Sequence, residues 1–546
     1  MTKKLVAMAL AALMCLASVA AVAEANLFGW DVPAEPLTID ITAGAEPTEN
    51  QQIVGVENML KFMLDNFNVQ YNLHYFDSDT DEQYNLMLAS DDYPEIVVGA
   101  STPVRQKFVE QGRAQDLTDY LAQSENILHR LNGLEGLYAD DNGRIFYLPE
   151  SFSNLPDLPD YSAHIRFDEW QEIGSPAITT PEEYFDAIMT VYELHPTTAA
   201  GEQRYTLGLY NQGMPEDLAG YFGLQKGWKI NDDDSLTYWT HTEEGKKMAK
   251  FFNDWWRTGT MDPDSFTNEW NDLRTKITQE RVIAMIGGWW IGYNAGHEVW
   301  MLTDDNWFEE KRFIQVGFKD ADAENAYVTM KNNAGGSWVV ITDKCQNVAD
   351  VMKWIDFTMT DKGIALTCWG MPNEVQSYSK PDTTKCIWEL YDDGSWKFNE
   401  QSKQELITET WDYQEEGIFG ANGGLFNIIN YRGRFDDGIH CLWGNQMWYS
   451  EATWKKYMFE NMSGTIFDGT ALLYLSIPME EDVTFAQTAI KDAWKQYYPL
   501  AVMADSDDAF EEAWLNLQAA VEGAGLETYT EYRADNYRKN LEMMGK

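Results

Sequence analysis

Apolar and polar residues alternate with a period of two over Leu37-Thr38-Ile39-Asp40-Ile41-Thr42, and again at Val69, Tyr71, Leu73 and Tyr75. This predicts two strands, each with one buried face. Between them Thr48 and Gln51 have the spacing of a capping box, and Ile53, Val56, Met59, Leu60, Met63 and Phe67 then fall on one helical face. A second helix over about 80–90 leads into Pro94-Glu95-Ile96-Val97-Val98-Gly99, the short apolar run of a strand buried in a parallel sheet. The resulting order β-α-β-α-β winds right-handed. Open sheets of this kind bind ligands beyond the carboxyl ends of their strands, here near 43–47, 77–79 and 100–103.

A proline- and aspartate-rich stretch over 149–160 interrupts the pattern and is a natural crossing between lobes. Thr180-Pro181-Glu182-Glu183 then starts a helix, with a cap, a proline at the first helical position and an acid closing the box. Thr242 opens another, whose Met248, Phe251, Phe252, Trp255 and Trp256 form a stripe ending at Gly259 and are expected to pack in a core. The apolar strand over 282–286 runs into Gly287-Gly288-Trp289-Trp290, so the backbone can turn tightly just where two indoles emerge. A strand over 337–341 precedes a helix over about 347–360, Cys368-Trp369-Gly370 follows, and helices including 509–523 close the chain. The aromatic, glycine- and asparagine-rich region 375–480 has poor periodicity and is assigned only to strands and loops.

The first residues change the picture by setting a compartment. Lys3 and Lys4 precede an apolar run over 5–23, and Ala21-Val22-Ala23 or Ala23-Glu24-Ala25 offers an A-x-A cleavage site, which predicts a signal peptide over 1–25 and an exported protein. Met14 before Cys15 argues against a lipid anchor. With 88 acidic and 40 basic residues the net charge is −48, so nucleic acid and anionic membranes are poor partners. Cys345, Cys368, Cys386 and Cys441 lack C-x-x-C spacing, which argues against zinc and leaves both disulfides and free buried thiols open. The run Asp77-Ser78-Asp79-Thr80-Asp81 lacks the glycine and the twelfth-position glutamate of a calcium loop and reads as a helix cap, and Asn231-Asp232-Asp233-Asp234 reads as an exposed turn. No metal or other cofactor is expected.

Several segments resemble, in order and spacing, the extracellular solute-binding proteins of family 1, the maltose-binding-protein-like receptors of ATP-driven (ABC) carbohydrate importers, in their long branch of roughly 500 residues. They are 88–97 (LASDDYPEIV), Gln111-Gly112 through Leu117-Thr118-Asp119-Tyr120, 142–149 (NGRIFYLP), 165–170 (IRFDEW), 180–184 (TPEEY), 259–263 (GTMDP), 282–289 (VIAMIGGW) and 363–370. The resemblance implies an α/β protein with a two-lobed, type II periplasmic-binding-protein-like fold, closing like a hinge on one ligand. It divides the chain into 26–152 plus 283–336 as the first lobe and 153–282 plus 337–546 as the second, with 375–480 unassigned between them. It also implies a carbohydrate ligand, a permease as partner and a monomeric protein.

Sugar recognition needs flat aromatic rings for the C–H faces of a pyranose and fixed polar forks for its hydroxyls. With 22 Trp and 28 Tyr available, Trp289 and Trp290 at the glycine-flanked strand end and Trp369 after its helix are the aromatic candidates. Glu46 beyond the first strand, Glu150 at the crossing and Arg166 on the strand entering the second lobe are the polar ones, with Tyr147 and Tyr293 beside them. No catalytic residue is expected. Two other readings use the same residues: a receptor for a peptide or cationic solute, favoured by the acidic surface, and a secreted glycoside hydrolase, which would need two acids across a glycosidic bond. Strands and helices do not repeat eight times as a barrel hydrolase requires, and no G-x-S-x-G or H-E-x-x-H motif is present.

Overall fold

In a computed structural model the described residues are 25–43, 56–76, 80–153, 161–292, 300, 311–331, 333–373, 388–399, 426, 428–431, 433, 453–475 and 479–546. The proposed signal peptide, the Thr48–Gln51 capping box, the Asp77–Asp79 run, Glu46 and Tyr293 lie outside them, as do Cys386 and Cys441.

The first half of the chain folds as the periodicity predicts. Strand β1 (Leu37–Thr42), helix α1 (Asn58–Phe67), strand β2 (Val69–His74), helix α2 (Thr80–Ser90), strand β3 (Ile96–Ala100) and helix α3 (Thr102–Glu110) follow in order. β1 pairs in parallel with β2 and β3. Met59, Met63 and Phe67 turn from α1 onto this sheet, and Ile39, Ile41 and Ile96 meet them from the strands.

Two further sets of elements complete the two bodies. Strand β4 (Leu148–Pro149) stays with the first sheet, while β5 (Tyr161–Arg166), helix α4 (Pro181–Leu194), β6 (Tyr205–Leu209), helix α5 (Glu243–Arg257), β7 (Val282–Gly288) and β8 (Phe313–Gln315) build the second. Strand β9 (Trp338–Ile341) with helices α6 (Val348–Thr358) and α7 (Asp361–Trp369) returns to the first, and α8 (Glu481–Val502), α9 (Asp507–Gly523) and α10 (Leu526–Met543) end the chain. The first sheet has the order β2-β1-β3-β9-β4 and the second β8-β5-β7-β6. Each has its own core: Ile39, Phe67, Trp338 and Trp354 in one, Ile165, Tyr184, Trp255 and Trp514 in the other.

This pairing corrects the expected division of the chain. β7, expected at the head of the first lobe's 283–336 segment, runs antiparallel to β5 from Ala284 opposite Ile165 to Gly288 opposite Tyr161, and parallel to β6. All seven of its residues are buried, so it must lie at the centre of a sheet covered on both faces, and only the second sheet offers two neighbours for it. β9, expected in the second lobe, instead pairs antiparallel with β3 and β4, and α6 and α7 join the first core. The second lobe resumes at Trp454 and Met458. α10 spans both bodies. Tyr529 and Ala534 pack in the second core, Met543 and Met544 pack against the first, and Lys539 pairs with Asp141 at 2.5 Å.

Local signals behave as their chemistry requires. Thr180 Oγ1 accepts from Glu183 N at 3.2 Å, while Glu183 Oε2 reaches one residue further back, to Thr179 N at 2.7 Å. Thr242 Oγ1 accepts from Gly245 N at 3.0 Å and starts α5, whose Met248, Phe252 and Trp255 are buried, with Phe251 and Trp256 partly so. Asn231–Asp234 forms the turn between antiparallel strands Trp228–Ile230 and Leu236–Tyr238. Cys345 carries a free, buried thiol, which burial pushes up to about 11, and Cys368 is buried in α7.

His164, on β5, is 2% exposed, and burial lowers its pKa from 6.5 to about 4 against the opposing hydrogen bond to the Ser162 carbonyl. The native state therefore keeps the imidazole neutral where the unfolded chain protonates it. Stability from this group is fully present above about pH 6.5 and is lost as pH falls to about 4. The loss is on the order of 3 kcal/mol. Urea titrations across this window should show that decline, and His164→Gln should flatten it.

Candidate functional site

Because β6 and β7 are parallel and β5 is antiparallel to β7, the end of β7, the end of β6 and the start of β5 lie at one edge of the second sheet. That edge carries Trp289, Trp290, Tyr161 and Tyr210. Trp289 is 48% exposed, and its ring centre lies 6.4 Å from that of Trp290 at 86°. Trp290 in turn meets Tyr161 edge-on, 5.2 Å away at 76°. A Cβ on Gly288 would fall 2.4 Å from the Trp290 ring, so the glycine is what lets this indole fold back over the strand and brace the exposed one. Next to them, Gln212 sits in the left-handed region at φ 59°, and its buried Oε1 has no hydrogen-bond donor. An unpaired buried acceptor beside exposed indole is what a sugar hydroxyl can satisfy.

The edge of the first sheet at the ends of β1 and β3 is polar. Thr42 Oγ1 accepts from Val98 N at 2.8 Å, Tyr84 donates to the Val98 carbonyl, and Ser101 Oγ donates to Asp81 at 2.8 Å. Burial chiefly, with the Glu150 and Asp81 carboxylates adding to it, pushes the Tyr84 hydroxyl up to about 12 against the Thr42 hydrogen bond. Glu150 is half-buried where the chain leaves this sheet. Its Oε2 accepts from Ser337 Oγ at 2.5 Å and its backbone N–H donates to the Ser337 carbonyl at 2.9 Å. Its carbonyl accepts from Asn430 N at 2.6 Å.

Of the residues singled out in the sequence, Trp289 and Trp290 come together at one edge and Glu150 stands at the crossing, whereas three others are placed elsewhere. Trp369 is 2% exposed at the end of α7, packed into the first core, and so does not present a ring to a ligand. Arg166 stands at the far end of β5, opposite Phe313 and five residues from Tyr161. At ~3.4 Å per residue that is about 17 Å from the aromatic edge. It is 1% exposed and holds Asp168 at 2.6 Å, with Glu169 at 3.7 Å and Glu280 at 3.9 Å. Tyr147 is 9% exposed, with its hydroxyl donating to the Leu475 carbonyl at 3.4 Å. Tyr161, Tyr210 and Gln212 were missed. Only the pairing of β5 and β6 with β7 brings them to Trp289, and no local motif marks that pairing.

Two concavities of the second lobe lie apart from this edge. The larger, about 920 Å³, is lined by Lys246, Lys247 and Lys250 on α5. Each ammonium is already held by carboxylates: Lys246 by Glu511 at 2.8 Å, Lys247 by Asp320 at 2.7 Å and Lys250 by Asp507 at 3.2 Å. A smaller one of about 340 Å³ adjoins it at Lys247. Among the described residues no group of three His, Cys, Asp or Glu is placed to hold a metal ion.

No model of a known protein family matches the chain, and no curated protein sequence matches it. Solved structures do. The ABC-transporter substrate binding protein FusA of S. pneumoniae in complex with kestose superposes with a TM-score of 0.66 at 14% identity, covering 92% of this chain and 99% of that one. An HMO binding, ABC-transporter associated solute binding protein from Bifidobacterium longum infantis superposes at 0.63 and 13% identity, with coverage of 92% and 99%. The alginate-binding protein AlgQ2 without calcium ion superposes at 0.61 and 15% identity, with coverage of 93% and 99%. The chain thus has the two-lobed α/β fold of these binding proteins along nearly its whole length.

Two substitutions test the placement of residues. Arg166→Met removes the buried cation that holds Asp168 and should lower the unfolding free energy by about 1–3 kcal/mol, measured by urea denaturation. Gly288→Ala should instead displace Trp290 from Tyr161, changing the near-ultraviolet circular dichroism of the indoles at a stability loss of about 1–3 kcal/mol.

Proposed function

We propose that this protein captures a carbohydrate, an oligosaccharide, between its two lobes and delivers it unaltered to an ABC-type importer. The observation that carries the reading is Trp289, a large ring left 48% exposed at the strand edge where this architecture places ligands and braced at a right angle by Trp290. Exposed, rigid indole is suited to the C–H face of a sugar ring, and the unpaired Gln212 Oε1 beyond the end of β6 supplies a polar group on the same lobe. Structurally similar proteins bind alginate or HMO, or are seen in complex with kestose, and this supports the same class of ligand. The finer assignment to solute-binding family 1 rests on the sequence resemblance.

Capture needs no bond-making. The ligand must favour the closed arrangement of the lobes over the open one, and only that difference in affinity drives closure. The closed form is then the one a permease recognises. Export by the N-terminal signal peptide and a monomeric state outside the cytoplasm, in the medium, at the cell surface or in the periplasm, belong to the same proposal.

Melting-shift screening of a glycan panel tests it. A cognate glycan at 100 times its Kd stabilises the protein by about 2.7 kcal/mol, and Trp289→Ala should weaken it roughly tenfold, about 1.4 kcal/mol. Stabilisation by peptides or polyamines, with none by any glycan, would overturn the reading.

A further inference from the structure

Where the two lobes meet, two guanidinium groups are buried without a counter-charge. Arg105, in the first turns of α3, is 4% exposed, and its Cζ lies 4.0 Å from the ring centre of Tyr147 and 4.6 Å from that of Trp338. Arg533, on α10, is also 4% exposed; its Cζ lies 4.0 Å over Tyr474, and its Nη2 donates to the Leu472 carbonyl at 2.8 Å. Nη1 of Arg105, and Nε and Nη1 of Arg533, are buried with no acceptor, and among the described residues neither side chain has an ion pair. Tyr532 lies within electrostatic reach of both cations, which draw its hydroxyl down while burial holds it up at about 12. The two lobes touch here, since Met479 N, in the second core, donates to the Gln106 side chain on α3 at 2.9 Å.

In a chain with 88 acidic and 40 basic residues, the missing carboxylate is informative. Taking a charge out of water costs several kcal/mol unless a partner offsets it. Stacking on aromatic rings recovers about 2 kcal/mol or less for each cation. Stacking also occupies only the faces of the guanidinium, leaving its N–H forks pointing outward in the plane, where they match the paired oxygens of a carboxylate or sulfate. Glu216, the one carboxylate acting on Arg533, accepts from the Tyr238 hydroxyl at 2.5 Å and is itself raised by burial, so it is engaged elsewhere. A protein carrying a charge of −48 repels anions at long range, so an anionic cargo needs local cations of this kind.

We infer that Arg105 and Arg533 form an anion subsite at the lobe junction, and that the carried oligosaccharide is therefore acidic, presenting a carboxylate or a sulfate there. The inference rests on the carbohydrate reading and narrows it. Arg105 rests on rings of the first lobe and Arg533 on a ring of the second, with Tyr532 within electrostatic reach of both, so an acid group held by the two would bridge the lobes.

The test compares trigalacturonate, a sulfated chondroitin disaccharide and neutral maltotriose by melting shift and calorimetry on the full mature protein. One acidic glycan should bind and maltotriose should not, and which acidic glycan binds distinguishes carboxylate from sulfate. Arg105→Met should lower that affinity at least tenfold. Arg105→Lys, which keeps the charge and guards against a folding defect, should lower it less, through loss of the fork. Binding of maltotriose alone, or acidic binding indifferent to both substitutions, overturns the anion subsite and leaves the carbohydrate reading standing. If none of the three binds while a wider glycan panel also fails, the carbohydrate reading falls and this inference falls with it.

Discussion

Three passages of the chain meet at Glu150, and hydrogen bonds between their backbones tie together strands of the first body at the point where the chain leaves it for the second. The Glu150 N–H is given to Ser337, its carbonyl receives Asn430, and its side chain takes the Ser337 hydroxyl as well. The strands flanking this point reach into both sheets: β4 and β9 on one side, β5 soon after on the other. Gly335, at φ 82°, lets the returning passage come close enough, because a Cβ there would lie 2.9 Å from the Pro149 side chain.

The parallel strands of the first sheet end in hydroxyls and carboxylates near Glu150, and the start of β5 and the end of β7 carry rings at one edge of the second sheet. The difference follows from strand direction. An antiparallel neighbour brings its start, and not its end, to the edge where β7 finishes, so Tyr161 joins the indoles while Arg166 is carried to the opposite rim. There Arg166 pairs with Asp168, while Glu169 is held also by Arg204 and Glu280 by Lys311.

The acidic surface and the cationic interior of the junction are two parts of one electrostatic arrangement. Most carboxylates lie on solvated faces and keep the protein dispersed. The lysines of α5 are each held by surface carboxylates, whereas the arginines at the lobe junction rest on tyrosine and tryptophan faces instead. Placing a delocalised cation on aromatic rings keeps its hydrogen-bonding edge available, which a salt bridge would not.

Periodicity alone was enough for the first unit. Alternation in β1 and β2, the stripe on α1 and the apolar run of β3 each reflect burial within a few residues, and the caps at Thr180 and Thr242 are contacts made within one helical turn. The two glycines before Trp289 marked a close approach for the same reason, because backbone freedom is a property of the residue itself. Lobe membership after residue 282 was not legible, since a strand as apolar as β7 suits the centre of either sheet and pairing partners over a hundred residues away decide between them. The burial of Trp369, the remoteness of Arg166 and the gathering of Tyr161, Tyr210 and Gln212 beside Trp289 are likewise products of strand direction and sheet order. Those are set by long-range contacts that no window of sequence contains.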